Sequence, residues 1–125
     1  MRKDYFLQIV LTLMAVTTVA CATVLGTGGQ VVDPANYDET IRIACVGDSI
    51  TYGSAIKDRE KNNYPTVLGN LLGAQFEVRN FGVSGATLLK NGDFSYWDRP
   101  AFSAVTKFNP HIVVIKLGTN DTKPQ

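Results

Sequence analysis

A serine set on a tight turn just past the end of a buried strand can present its hydroxyl to a substrate carbonyl. The stretch Val46-Gly47-Asp48-Ser49-Ile50-Thr51 has that form, since the β-branched, nearly uncharged run from Ile41 to Val46 stops at Gly47. Two later stretches occupy equivalent places. Phe76-Glu77-Val78-Arg79-Asn80 alternates as a strand does and runs into the glycine-rich Phe81-Gly82-Val83-Ser84-Gly85-Ala86-Thr87. Ile112-Val113-Val114-Ile115, with Lys116-Leu117 at its end, runs into Gly118-Thr119-Asn120-Asp121. The first exit carries a hydroxyl, the second a backbone N–H that glycine lets approach a ligand, and the third a side-chain amide. Ester hydrolysis needs such a set: a nucleophile, and N–H donors aimed at the oxygen that becomes negative in the tetrahedral intermediate.

The elements around these exits must bring them to one place. Tyr64-Pro65 opens a helix with proline in the first turn, where its missing N–H costs nothing, and Gly73 stops it. Val67, Leu68, Leu71 and Leu72 give this helix one apolar face, which reads as packing. A second helix is expected over 101–108, with Pro100 near its start and Asn109-Pro110 ending it. The charged stretch from Tyr52 to Asn63 reads as a solvated loop, and Phe94, Tyr96 and Trp97 read as local packing. The order is strand, helix, strand, helix, strand, which predicts a doubly wound parallel α/β sheet. The third strand's continuous apolar run predicts burial on both faces. In a parallel sheet all strands point one way, so Ser49, Gly85 and Asn120 leave by the same edge, where ligands bind in open α/β sheets.

Composition narrows the classes. The chain has 125 residues, a net charge of +1 and 45% hydrophobic residues, as one ordinary globular domain would. A balance so near neutral supplies no basic face and speaks against nucleic acid. Two cysteines and one histidine give no metal-ligand spacing, and no cofactor is implied.

Gly47-Asp48-Ser49-Ile50-Thr51, the stretch Asn80 through Gly85, and Gly118-Thr119-Asn120-Asp121 resemble the first three sequence blocks of the SGNH (GDSL-type) hydrolases, in the family's order. The resemblance covers nearly all of the chain beyond residue 40. It implies a flavodoxin-like three-layer α/β/α fold, of which the first three strands are present. It also implies that Ser49 is the nucleophile. Its own N–H, the N–H of Gly85 and the side-chain N–H of Asn120 would then form the oxyanion hole. The stretch through Trp97 and Pro100 is most similar to bacterial exported esterases that deacetylate carbohydrates, so the implied partner is a small-molecule or carbohydrate ester.

The pattern departs from the family in one respect. Its fourth block supplies a His, the base that takes the serine proton, and an Asp that orients it. No such block occurs here, and the only histidine is His111, immediately before the third strand. At about 3.3 Å per residue it lies on the order of 20 Å or more from Asn120, so it reads as a surface residue remote from Ser49. Asp48 and Asp121 read as braces of their own turns through nearby backbone N–H groups rather than as the base. The expectation is the N-terminal portion of a longer hydrolase, inactive or nearly so by itself. A domain on the same fold that binds carbohydrate without turnover is the alternative; a phosphate binder is disfavoured, because no basic residue flanks Gly82 or Gly85.

The N-terminus reads as a targeting segment. Met1-Arg2-Lys3-Asp4 is net positive, Tyr5 to Val32 carries no charge, and Ala20-Cys21-Ala22 has the small residues of a signal cleavage site. The expected organisation is a signal peptide over 1–22, a linker over 23–39 and the hydrolase portion over 40–125, in an exported protein. Cys21 as an acylated lipoprotein cysteine, and an uncleaved membrane anchor, are the alternatives.

Overall fold

The computed structural model of the chain describes residues 32–122. The expected signal segment, Cys21 and most of the expected linker lie outside the described residues. Three strands form one parallel sheet: β1 (Ile41–Gly47), β2 (Phe76–Gly82) and β3 (Ile112–Lys116), in the order β2-β1-β3. Helices α1 (Ser49–Tyr52), α2 (Arg59–Asn62) and α3 (Tyr64–Leu72) join β1 to β2, and α4 (Pro100–Phe108) joins β2 to β3. The α/β alternation therefore appears as a parallel sheet with its first strand in the middle.

β1 is central because its sequence tolerates it: all its residues except Arg42 are buried. Side chains alternate across a strand, so Val78 and Phe81 of β2 face opposite sides of the sheet. α3 lies on the Val78 side, where a Cβ on Gly69 would stand 3.4 Å from the Val78 Cβ. α4 lies on the other side, with the Phe108 ring 5.5 Å from that of Phe81. Helices thus lie on both sides of the sheet at β2, giving three layers. The core on the α4 side joins Val46, Ala86 and Tyr96, with Phe81, Val105 and Leu117 against them.

The helices stop and start where local chemistry says they should. Asn63 caps α3, its Oδ1 accepting the Thr66 N–H at 3.0 Å, and Pro65 sits in the first turn. Gly73, at φ 82°, ends α3, and Asn109, in the left-handed region, ends α4.

Four expectations need correction. The stretch from Tyr52 to Asn63 holds α2 and the end of α1, and the Arg59 guanidinium lies 4.0 Å over the Tyr52 ring. β2 runs two residues further than its alternation suggests, because Phe81 and Gly82 pair with Val46 and Gly47. α3 turns Pro65 inward and leaves Leu71 81% exposed, so its buried side is not the leucine face. β3 is not buried on both faces: Val113, Val114 and Ile115 are exposed, Ile115 at 65%. β3 pairs only with β1 among the described residues, so one edge and much of both faces lack cover.

Candidate active site

Register brings the three strand exits level. β1 ends with Gly47 opposite both Gly82 of β2 and Lys116 of β3. Past Gly47 the chain folds back over the strand ends into α1, which requires the absence of a side chain there: a Cβ on Gly47 would lie 1.9 Å from Thr51 Oγ1 and 2.7 Å from the Lys116 carbonyl oxygen. Asp48 is fully buried and caps α1, its Oδ1 accepting the Ile50 N–H at 2.9 Å, as its reading as a brace of its own turn expected. Its own N–H donates to the Lys116 carbonyl at 3.2 Å.

Ser49 is the first residue of α1 and is half-buried. Its position rests on contacts of Asn80, Thr51 and Tyr64 to which sequence reasoning gave no separate role. Asn80 Nδ2 donates to the Thr51 carbonyl at 2.7 Å, and Thr51 Oγ1 lies 3.2 Å from the Tyr64 hydroxyl. Burial pushes up both the Tyr64 hydroxyl and the Cys45 thiol.

The glycine-rich loop after β2 makes a turn closed by the Ala86 N–H to the Val83 carbonyl at 3.1 Å. Gly85, third in that turn, has φ 85°, the left-handed value that a type II turn demands at this place. Asn120 is buried, and its Nδ2 donates to the Ala86 carbonyl at 3.0 Å. That bond uses one of the two amide protons. Among the described residues, the backbone N–H groups of Ser49 and Gly85 and the Ser49 hydroxyl engage no partner.

Hydrogen bonds join each exit loop to the other two. The Val83 N–H donates to the Gly47 carbonyl at 2.9 Å, and the Ser54 and Ser84 hydroxyls pair at 3.2 Å. Asp48 reaches Lys116, and Asn120 reaches Ala86, as above. Asp121 adds a further tie, and here the expectation fails. Its carboxylate does not brace its own turn but accepts the Leu88 N–H at 2.9 Å and the Leu89 N–H at 2.6 Å, from the loop after β2. The partner loop is more than thirty residues away in sequence, so no local signal marked it. Replacing Asp121 by alanine removes two charge-assisted bonds, and the expected loss of stability is about 2 kcal/mol. The shift of a urea midpoint measures it; an unchanged midpoint would mean the loops hold without this carboxylate.

His111 stands at the other end of the sheet. Its N–H donates to the Arg42 carbonyl at 2.9 Å, Nδ1 accepts the Arg42 N–H at 3.0 Å, and Nε2 lies 3.2 Å from Glu39 Oε1. It is half-buried and fastens β3 to β1, rather than being a free surface residue. Of the aromatic cluster, Tyr96 is core: its hydroxyl donates to the Phe81 carbonyl at 2.7 Å, and burial pushes its pKa up to about 12. Trp97 packs edge-on against Phe102 at 5.1 Å and Phe94 lies under Arg99, as local packing expects, and both rings stay partly exposed.

Residues 45–125 match the family model of the GDSL-like Lipase/Acylhydrolase family. An acetylxylan esterase of Xylanibacter ruminicola is 49% identical over 92 residues, which is 74% of this chain and 19% of that protein. The chain thus spans about a fifth of the length of the curated relative it matches. No solved structure matches it.

Proposed function

The chain belongs to the GDSL-like Lipase/Acylhydrolase family, and from that premise we propose that it carries the nucleophile and oxyanion hole of a serine esterase that removes acetyl groups from carbohydrates. The observation that carries this reading is the set of uncommitted donors at one level edge of the sheet. Ser49 N–H, Gly85 N–H and the second Asn120 amide proton sit on three loops bonded to one another. The acetyl and carbohydrate part of the reading is supported by the acetylxylan esterase relative.

In the proposed reaction Ser49 Oγ attacks the acyl carbon as a base takes its proton. The carbonyl electrons move onto oxygen, which the three donors stabilise. Collapse expels the sugar alkoxide, which takes a proton, and leaves an acetyl ester on Ser49. Water then attacks that ester, releasing acetate and restoring the hydroxyl. The one histidine, His111, is bound to Arg42 and Glu39 at the opposite end of the strands. The reading therefore assigns the base to a residue outside these 125, and Asp48 and Asp121 keep their supporting places. An exported protein, led out by a signal peptide over 1–22, suits a substrate that is an extracellular polysaccharide.

The test is release of acetate from acetylated xylan by the protein expressed from its complete reading frame. Turnover is expected. Binding of the acetylated polymer with no release of acid from any acyl ester would overturn the proposal in favour of a noncatalytic carbohydrate-binding domain.

A further inference from the structure

The space beside Gly85 has one wall. Apart from its chain neighbours, a Cβ built on Gly85 would meet one atom within 4 Å, Phe94 Cδ1 at 4.0 Å. Phe94 is 39% exposed. The Phe94 carbonyl accepts the Thr87 N–H at 3.0 Å, which fixes its segment against the loop that carries Gly85. The Arg99 guanidinium carbon lies 4.2 Å over the ring, and Arg99 Nε is itself tied to the Ser95 carbonyl at 3.2 Å. The Arg99 guanidinium thus covers one face of the ring, and the ring stays partly exposed beside a proposed oxyanion donor.

A fixed aromatic face has a defined use at such a place. A pyranose ring has an apolar face of axial C–H groups, which gains dispersion and desolvation against an aromatic ring while its hydroxyls stay in water. A preformed ring loses little entropy when it takes up such a ligand. We infer that Phe94 is a specificity-determining residue, the surface on which the sugar bearing the acetyl group lies. This rests on the esterase reading above and adds which side of the scissile bond is recognised: the alcohol, not the acyl chain.

The experiment compares wild type, Phe94→Leu and Phe94→Trp, in the protein expressed from its complete reading frame, on acetylated xylobiose and on ethyl acetate. Leucine keeps apolar bulk and loses the ring face; tryptophan keeps the face. The expected result for Phe94→Leu is a fall of about tenfold in the ratio of kcat/KM on the sugar ester to that on ethyl acetate, carried by KM. Phe94→Trp restores the ratio. A ratio that does not move, or a loss that falls equally on both esters, overturns the inference and leaves the esterase reading standing. A gain on ethyl butyrate over ethyl acetate in Phe94→Leu also overturns it, by placing the ring on the acyl side. Failure of the wild type on both esters refutes the esterase reading, and this inference with it.

Discussion

Ser49→Ala lowers hydrolysis of p-nitrophenyl acetate by about 10⁴-fold or more while leaving the fold intact, in the protein expressed from its complete reading frame. The size follows from the role: without the hydroxyl no acyl-enzyme forms, and only binding and the oxyanion donors remain to assist water. The harmlessness to the fold follows from the structure. The Ser49 hydroxyl engages no partner among the described residues, and the cap of α1 comes from Asp48, which the substitution leaves in place. Alanine is a good helix former, so the change in stability should be within about 0.5 kcal/mol. The measurement is kcat/KM beside a denaturation midpoint. Loss of turnover with an unmoved midpoint is expected; unchanged turnover would remove Ser49 from the reaction.

The second large effect is at Asn120. Asn120→Ala takes away one of three proposed donors to the oxyanion, and kcat is expected to fall by about 10²- to 10³-fold, or roughly 3–4 kcal/mol of barrier. The same substitution also leaves the Ala86 carbonyl without its bond from Nδ2. That loss costs stability on the order of 1–3 kcal/mol, so it must be separated from the catalytic one. The split between kinetic constants does so. A donor that acts on charge developing in the transition state lowers kcat and kcat/KM together and leaves KM nearly unmoved. A KM that rises with kcat unchanged would make Asn120 a structural tie between the loops after β2 and β3, not an oxyanion donor.

What was legible in the sequence was legible for local reasons. The apolar run of β1, the proline opening of α3, Gly73 at its end and the Pro100 and Asn109 bounds of α4 each follow from neighbouring residues, and the structure has them all. Parallel order followed from the alternation of elements, and with it the level exits. What was not legible depends on distant partners. Phe81 and Gly82 extend β2 only because Val46 and Gly47 lie alongside. Asp121 looks like a turn residue, yet it binds Leu88 and Leu89 of another loop. The apolar run of β3 asks for burial, but burial depends on what packs against a strand, and Ile115 stands exposed among the described residues. Phe94 belongs here too: in the sequence it reads as local packing, and its closeness to Gly85 comes only from the fold.

In the proposed reaction Ser49, Gly85 and Asn120 hold one oxygen between them. A crystal structure of the protein, expressed from its complete reading frame and inactivated by a p-nitrophenyl alkylphosphonate, tests it most directly, since the phosphonyl oxygen stands where the oxyanion would. The expected result is phosphorus bonded to Ser49 Oγ and that oxygen about 2.7–3.1 Å from Ser49 N, Gly85 N and Asn120 Nδ2. Phosphorus on another residue, or an oxygen turned away from Gly85 and Asn120, would contradict it.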